Sequence, residues 1–461
     1  MVFDNLRPGY GTVTESTSRN KQPARQRYRP YPAYKESGAK WLCTIPTTWE
    51  VQPLKYLVTF STGWTPPTGR DDLYGGEHRW ANISDLGPKV LKTTEKTITD
   101  AAIKESRLSK VNAGTLLFSF KLSIGTVSIA GVSMYTNEAI AAFAPSSRID
   151  TGFLFWAAPV LIPQNAQDNI YGAPLLNQER IANAKLLIPA LAEQQAIADF
   201  LDRETARIDA LVERKERLIE LLREKRAALV TRAVTRGLDP NVPMKDSGVE
   251  WLGEIPAHWG LRQLRRVVTT FVDYRGKTPE KTRAGVRLVT ARNVKKQSID
   301  FSLSEEFIPQ HLYRKWMVRG YPERGDVLVT TEAPLGETAQ ITDTNVALAQ
   351  RIILLKANKE KIIDDYLKYH FVSDSGRMEL QTRATGSTAL GVKASHLKAS
   401  LILVPPKCEQ AAISKKIASQ TSDVDKLIAK VLEAIDRLLE YRNALISAAV
   451  TGKIDVRNES S

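Results

Sequence analysis

The fold is decided by a stretch that occurs twice. Residues 193–235 read EQQAIADFLDRETARIDALVERKERLIELLREKRAALVTRAVT, and residues 409–451 read EQAAISKKIASQTSDVDKLIAKVLEAIDRLLEYRNALISAAVT. Neither copy contains proline or glycine, the two residues that a helix interior tolerates least. Each copy therefore predicts one helix of roughly 40 residues, or about 60 Å at 1.5 Å per residue. A shift of 216 positions superposes identical residues, including Glu193 and Glu409, Gln194 and Gln410, Asp209 and Asp425, and Arg226 and Arg442.

Apolar residues recur in both copies at steps of three and four. This spacing predicts a narrow seam that packs lengthwise on another helix. Lys215 and Lys225 fall on the first seam and weaken it. Because such a helix is longer than an ordinary globular helix, we interpret the two copies as a spacer. The seam residues are Ile208, Leu211, Leu218, Leu222 and Leu229 in the first copy and Val424, Leu427, Val431, Leu438 and Leu445 in the second.

A second repeat lies ahead of each helix. Residues 35–54 read KESGAKWLCTIPTTWEVQPL, and residues 245–264 read KDSGVEWLGEIPAHWGLRQL, at an offset of 210. We call these two segments the clips. Both hold two tryptophans in register, Trp41 and Trp49 in the first clip, and large aromatic side chains anchor short segments that have no core of their own. The clips are therefore interpreted as structural anchors and not as active sites.

Two variable regions, 51–188 and 261–400, lie between the clips and the helices. Short β-branched runs punctuated by glycine and proline predict compact α+β domains, with a helical stretch at 364–382. The run GTLLFS at 114–119 matches GDVLVT at 325–330, and the glycines at 125 and 336 also match. The predicted order is a disordered basic arm (1–34), a first domain with its clip (35–188), a first long helix and linker (189–244), a second domain with its clip (245–404), and a second long helix and tail (405–461).

The net charge of +14 is spread unevenly along the chain. Residues 261–400 carry +9, residues 51–188 carry +2, and residues 189–244 carry 0. A polyanion suits such a surface, and nucleic acid is the commonest one; the alternative is that the charge serves only solubility. Candidate contacts are basic residues on loops around the matched strands. Taken alone, each is more often a solvated charge than a contact, and the set counts for more than its members. They are Arg70, Arg79, Lys89, Lys92, Lys121, Arg275, Lys277, Arg292, Lys295, Lys296, Arg314 and Lys315.

Four aromatic residues of the variable regions, Trp64, Trp80, Tyr274 and Trp316, can belong to the core or face a nucleic-acid groove, and the core is the favoured interpretation. Two cysteines and five scattered histidines offer neither a disulfide framework nor a metal-ligand pattern. Residues 275–278 read RGKT and end like a phosphate loop, but Phe271 stands where the first glycine belongs. The apolar stretch 124–144 is predicted to form strands and not a membrane span. The first residues lack the apolar core of a signal peptide, so a cytoplasmic location is expected.

The doubled order of clip, domain and helix resembles the specificity subunit of type I restriction-modification systems. The resemblance rests on the doubled SGxxWLxxIPxxW segment, on Pro-x-x-x-Glu-Gln at Pro189 and Pro405, and on the AVT helix ends followed by RGLD or GKID. It implies an α+β protein with two target recognition domains. An antiparallel pair of long coiled-coil helices would separate these domains with pseudo-two-fold symmetry. Each domain would then read one half of a bipartite site in double-stranded DNA.

The resemblance also implies a chain that is not an enzyme by itself. Such a chain would bind no metal or cofactor and would hold two methyltransferase subunits and, when present, two restriction subunits. S-adenosylmethionine, ATP and Mg²⁺ are then expected on those partner subunits only. The absence of an Asn/Asp-Pro-Pro-Tyr methyltransferase motif agrees with this division. The alternatives are a DNA-modifying enzyme with a fused recognition module, and a coiled-coil scaffold that binds protein.

Overall fold

A computed structural model describes residues 28–39, 41–107, 109–168, 174–274, 278–386 and 390–459. The chain forms two compact units of mixed helix and sheet. Unit 1 comprises Met1–Leu211 and Asp436–Ser461, and unit 2 comprises Val212–Ile435. Within the described ranges, no helix has the length and apolarity needed to cross a membrane.

Unit 1 is built around a five-stranded sheet in the order β4-β11-β8-β9-β6 and a three-stranded sheet in the order β10-β5-β7. Its strands are β1 (Tyr34–Ala39), β2 (Leu42–Pro46), β3 (Glu50–Pro53), β4 (Phe60–Thr62), β5 (Tyr74–Ala81), β6 (Val90–Leu91), β7 (Lys96–Ile98), β8 (Leu116–Ser119), β9 (Val127–Ala130), β10 (Tyr135–Thr136), β11 (Ile140–Phe143), β12 (Gln167–Asp168), β13 (Pro174–Leu175) and β14 (Lys185–Ile188). Its helices are α1 (Asp100–Ser106), α2 (Thr151–Leu161), α3 (Gln178–Ala182) and the first part of α4 (Leu191–Arg236).

Unit 2 contains a four-stranded sheet in the order β18-β26-β23-β24 and a three-stranded sheet in the order β22-β19-β25. Its strands are β15 (Met244–Asp246), β16 (Glu254–Pro256), β17 (Gly260–Gln263), β18 (Val268–Asp273), β19 (Val286–Val289), β20 (Val294–Lys295), β21 (Ser298–Ile299), β22 (Phe307–Ile308), β23 (Val327–Thr331), β24 (Leu335–Gln340), β25 (Val346–Leu348), β26 (Ile352–Ala357) and β27 (Leu401–Val404). Its helices are the last part of α4, α5 (Tyr313–Trp316), α6 (Asp364–Val372), α7 (Asp374–Thr382), α8 (Ala394–Ala399) and the first part of α9 (Lys407–Val450). The last part of α9 belongs to unit 1.

The matched apolar runs form equivalent central strands in the two units. β8 lies between β9 and β11, and β23 lies between β24 and β26, all antiparallel. All four side chains of β8 and all five of β23 are buried, including Ser119, Thr330 and Thr331 at the strand ends. The apolar stretch 124–144 contributes β9, β10 and β11, which confirms the prediction of strands.

The predicted helical stretch 364–382 is wrong in one respect, because the structure breaks it into α6 and α7. The break is at Ser373, whose backbone is extended (φ −68°, ψ 155°). Its Oγ accepts a hydrogen bond from the Gly376 N–H at 3.1 Å and caps α7. Serine stabilises a helix start in this way, and helical periodicity alone does not reveal the break.

The second tryptophan of each clip is fully buried against the start of a long helix. In unit 1, Trp49 Nε1 donates to Glu193 Oε1 at 3.1 Å. In unit 2, Trp259 Nε1 donates to Glu409 Oε2 at 2.9 Å. The exposed fractions of the two tryptophans are 0% and 1%. The structural interpretation of the clips is confirmed for these tryptophans, whereas the first tryptophan of each clip is only half-buried.

A buried glutamine attaches the first turn of each long helix to its domain. Gln194 Nε2 donates to the Pro189 carbonyl at 2.9 Å, and its Oε1 accepts from the Asp150 N–H at 2.8 Å. Gln410 repeats both bonds, to the carbonyl five residues upstream at 2.8 Å and from the Ile363 N–H at 2.9 Å. Asp150 and Ile363 each precede a helix of the domain, α2 and α6. The Glu-Gln pair of the repeated motif therefore connects clip, helix and domain in both units.

Within unit 1, the end of α9 lies on the first clip. A Cβ atom on Gly452 would come within 2.6 Å of Pro46 and 3.4 Å of the Trp49 ring. In unit 2, a Cβ atom on Gly237 would lie 3.2 Å from the Trp259 ring. Both glycines have positive φ, 71° and 75°, which glycine adopts without steric cost. The GKID and RGLD ends thus supply the same close approach of backbone to tryptophan.

The prediction of a disordered arm over 1–34 is wrong from residue 28 onward, and 1–27 lie outside the described residues. The Tyr28 ring packs edge-on against Phe200 of α4 at 5.2 Å between centroids. Tyr31 is buried, and its hydroxyl donates to Glu193 Oε1 at 2.7 Å. Burial and this hydrogen bond raise the pKa of Tyr31. Composition indicates a polar tail, but two tyrosines suffice to pack a short segment on a helix.

Candidate nucleic-acid interface

The candidate basic residues of unit 1 fall into two groups. Arg79, Lys92 and Lys121 are exposed. Arg70 is also exposed, but it forms ion pairs with Asp72 at 2.8 Å and Glu105 at 3.3 Å. Its hydrogen bond lowers the pKa of the Asp72 carboxyl.

Lys89 points towards the long helix and not away from the protein. It forms an ion pair with Asp202 of α4 and lies over the Phe155 ring at 5.6 Å. Asp202 also accepts a hydrogen bond from Trp156 Nε1 of α2 at 2.9 Å. Lys89 therefore joins the first domain to its helix. Lys92 lies at the other end of β6 and has an exposed side chain.

In unit 2, Arg275 and Lys277 lie outside the described residues, and the remaining candidates are exposed. Lys295 and Lys296 belong to the hairpin of β20 and β21. Lys296 and Gln297 both have positive φ, 50° and 66°, the combination of a type I′ turn. When the side-chain amide of Gln297 is oriented with its oxygen towards Arg226 of α4, this oxygen accepts a hydrogen bond from Arg226 Nη2 at 2.9 Å. The exposed candidates are Arg292, Lys295, Lys296, Arg314 and Lys315.

Of the four aromatic residues, Trp80 and Tyr274 are buried, and Trp64 and Trp316 are half-buried and pack against the cores of their units. Trp80 Nε1 donates to the Trp64 carbonyl at 2.9 Å. Tyr274 stacks on Trp316 at 5.3 Å, and Trp316 Nε1 donates to the Leu348 carbonyl at 3.0 Å. Burial raises the pKa of Tyr274. The core interpretation is confirmed, since buried tryptophan and tyrosine need such partners for their polar atoms.

Two equivalent ion pairs join the long helices, one in each unit. In unit 1, Arg442 Nε lies 2.9 Å from Asp209 Oδ1. In unit 2, Arg226 Nε lies 3.1 Å from Asp425 Oδ1. The offset of 216 converts one pair into the other. Each arginine also contacts its domain: Arg442 lies over the Trp156 ring at 5.9 Å, and Arg226 contacts the β20–β21 hairpin.

Within unit 2, the contacts run in opposite order along the two helices. Ile219 packs with Val431 and Ile435, while Arg226, further along α4, pairs with Asp425, which lies earlier in α9. This order is antiparallel.

The predicted seam is correct only in part. Its residues Ile208, Leu222, Val424, Val431 and Leu445 are buried. Leu211, Leu218 and Leu427 are instead 39%, 42% and 49% exposed, so their assignment to the seam is wrong. A straight helix drifts relative to a strict heptad repeat, which brings residues such as Ile219 into the contact. Further exposed apolar side chains on the two helices are Leu221, Leu432, Leu439 and Tyr441.

In the part of the chain that the structure describes, no group of three or more His, Cys, Asp and Glu side chains is arranged to hold a metal ion. The other exposed candidates lie on loops, on the β20–β21 hairpin and on the short helix α5, whereas Arg79 lies in strand β5 and not on a loop as predicted. Such an arrangement suits contact with phosphates and base edges.

Three comparisons bear on the family of this chain. The family described as the type I restriction modification DNA specificity domain matches residues 46–221. The type I restriction enzyme MjaIX specificity subunit of Methanocaldococcus jannaschii is 24% identical over 430 residues, which cover 89% of this chain and 95% of the relative.

Two solved structures share the fold. A chain from a structural study of complex assembly and conformational transition of the type I R-M system superposes with a TM-score of 0.66 at 14% identity. The match covers 89% of this chain and 99% of that one. The HsdS subunit from Thermoanaerobacter tengcongensis superposes with a TM-score of 0.51 at 15% identity, covering 89% and 98%.

Proposed function

We propose the following role for this chain, which belongs to the family of type I restriction-modification specificity subunits. It is the subunit that supplies DNA sequence specificity to such a system. The domains at 35–188 and 245–404 each read one half of a bipartite site in double-stranded DNA. α4 and α9 form an antiparallel pair that separates the domains with pseudo-two-fold symmetry and sets the distance between the half-sites.

The observation that carries this proposal is the doubled attachment of a domain to a long helix. In each unit, a clip tryptophan bonds the glutamate of the first helical turn, and the following glutamine bonds the domain. The side chains that make these contacts repeat, whereas the domains that they hold differ in sequence. Two different domains held by the same repeated contacts suit a protein that recognises two unrelated short DNA sequences at a fixed spacing.

The chain is proposed to act without catalysis or a cofactor of its own. Two methyltransferase subunits, and restriction subunits where the system has them, supply S-adenosylmethionine, ATP and Mg²⁺ chemistry. Leu211 and Leu427, which the offset of 216 relates, are both exposed and are available as equivalent docking surfaces on the helices. Repeated surfaces suit two identical partners, because symmetric partners need equivalent contacts.

Mapping of methylated adenines tests the proposed function. The chain is expressed with its methyltransferase subunits in a host without other methylation, and the genome is sequenced for modified bases. The expected result is one bipartite motif with an unread gap, absent when this chain is omitted. Methylation by the purified chain alone would favour the DNA-modifying enzyme. Failure of the assembled complex to bind DNA would favour the protein-binding scaffold.

Lys92 and Lys89 flank β6 and form a matched pair for testing phosphate contacts. We expect Lys92→Ala to weaken DNA binding equally for all sequences. It should also reduce the slope of log affinity against log salt by about 0.9, the value for one released counterion. Lys89→Ala should leave the slope unchanged, because Lys89 pairs with Asp202. Fluorescence anisotropy of the assembled complex over a salt series measures both slopes, and equal slopes for the two variants would contradict the assignment of Lys92.

A further inference from the structure

Leu122 lies on the loop between β8 and β9 and combines two unfavourable features. It is 94% exposed, and no large apolar side chain in the described ranges is more exposed. Its φ is +57°, in the left-handed region that residues other than glycine, asparagine and aspartate rarely adopt. A residue that is both exposed and held in such a conformation points to a contact with something outside the chain.

Hydrogen bonds within the loop hold Leu122 in place. Ser119, at the end of β8, is fully buried and donates from Oγ to the Lys121 carbonyl at 3.0 Å. The Gly125 N–H donates to the Ser119 carbonyl at 2.9 Å, and Thr126 N–H to the Ser123 carbonyl at 3.3 Å. These bonds order the loop backbone that carries Leu122 before any partner binds, which reduces the entropy lost on binding.

The second domain also has a left-handed residue at the position equivalent to Leu122, with a different side chain. Ala333 has a φ of +43° and lies 211 positions beyond Leu122, the offset that also relates Gly125 to Gly336. Thr330 replaces Ser119 and accepts from the Glu337 N–H at 2.9 Å. The left-handed backbone at this position thus occurs in both domains, while the side chain that it presents differs.

The charge beside Leu122 indicates the chemistry of its partner. Lys121 is exposed and precedes it directly, with Nζ 5.9 Å from the centroid of the buried Phe120 ring. A cation beside an apolar side chain on a rigid loop suits a DNA groove, where the cation contacts a phosphate and the apolar group contacts a base edge. The apolar feature of the major groove is the 5-methyl group of thymine.

We propose that Leu122 reads a thymine methyl group in the half-site of the first domain, which deepens the proposed function and rests on it. In this arrangement, Lys121 contacts the neighbouring phosphate and contributes affinity without sequence preference. Ala333 occupies the equivalent place in the second domain and presents a smaller apolar surface to its own half-site.

Thymine-to-deoxyuridine scanning tests this proposal, because deoxyuridine pairs like thymine and lacks only the methyl group. The complex of the full chain with its methyltransferase subunits is titrated with duplexes that carry the mapped site. Each thymine of the first half-site is replaced in turn. At one position, the wild-type complex should bind the deoxyuridine duplex about fourfold more weakly, the change expected for one buried methyl group.

The variants separate base reading from other roles of the loop. Leu122→Ala and Leu122→Asn should bring the thymine-to-deoxyuridine ratio close to one without lowering the melting temperature. Lys121→Ala should weaken binding to both duplexes equally and keep the ratio. The proposal is overturned if the wild type shows no such position, if the ratio survives in both Leu122 variants, or if those variants instead weaken association with the methyltransferase. In each case the specific binding itself remains measurable, whereas a complex without sequence preference would refute the proposed function.

Discussion

Replacing Trp49 with alanine is expected to lower the free energy of unfolding by about 3–5 kcal/mol, the range for a large buried aromatic side chain. Trp49 has no exposed surface. It meets the Tyr31 ring at 5.8 Å, the Glu193 carboxylate at 3.1 Å and the end of α9 at Gly452. Its removal leaves a cavity where three segments of unit 1, distant in the sequence, come together. Urea unfolding followed by circular dichroism measures the loss.

Trp41 provides the matched control, since it is the same residue type in the same clip but only half-buried. Trp41→Ala should cost clearly less than Trp49→Ala. Trp49→Phe should lie between them, because it keeps a ring but loses the N–H donor to Glu193. Trp259→Ala should reproduce the large effect in unit 2, where hydrogen exchange would place the loss. Equal costs for Trp41→Ala and Trp49→Ala would show that burial in the clip does not determine its stability.

Acidification from pH 6.5 towards pH 4 is expected to destabilise unit 2 through His370. This side chain in α6 is buried, and loss of hydration lowers its pKa from 6.5 to about 4. Above pH 6.5 both the folded and the unfolded state hold a neutral imidazole, so the full stability is present. Below pH 6.5 the imidazole becomes protonated in the unfolded state but stays neutral in the folded state. The free energy of unfolding therefore falls until the pH reaches about 4. At 1.36 kcal/mol per pKa unit, the loss amounts to about 3 kcal/mol.

The difference between variants isolates this contribution from the other titrating groups. His370→Gln removes the proton-binding group and should flatten the curve of unfolding free energy against pH between 4 and 6.5. His311 is exposed, and His311→Gln should leave the wild-type curve unchanged. Urea midpoints across this pH range measure all three proteins. A steep acid loss that persists in His370→Gln would assign it to carboxylates instead.

The long helices show how far local sequence patterns reach. The repeated stretches predict helices at about 193–235 and 409–451, and the structure has them at Leu191–Arg236 and Lys407–Val450. Their ends are set locally, by the prolines just upstream and by the glycines that follow. The buried clip tryptophans and the strands β8 and β23 can likewise be predicted from the sequence, because short runs of large apolar residues indicate buried segments.

The candidate interface is harder to predict from the sequence, because the identity of a basic residue does not show which group it contacts. Lys89 and Lys92 are three residues apart and equally basic. Asp202, more than a hundred positions away in the sequence, forms an ion pair with Lys89 and not with Lys92. Gln297, which no basic pattern singles out, contacts Arg226 at the tip of the hairpin. Leu122 was not among the candidate contacts, because these were selected among basic residues. The matched glycines at 125 and 336 were the available signal for that loop, but the left-handed backbone beside them is visible only in three dimensions.

The sequence by itself determined the repeat, the clips, the two long helices and the Glu-Gln motif at their starts, because each depends on residues that are neighbours along the chain. The bonds that the glutamates and glutamines of this motif make were decided by the tertiary structure, since their partners lie 44 to 150 positions away. Only the tertiary structure decided which seam residues are buried, where Tyr28 and Tyr31 pack, and which basic residues stay free. These outcomes depend on the rotation of each helix and on partners far apart in sequence. A shift of one position along a helix turns a side chain by about 100°, so Leu218 can face outward while Ile219 packs inside.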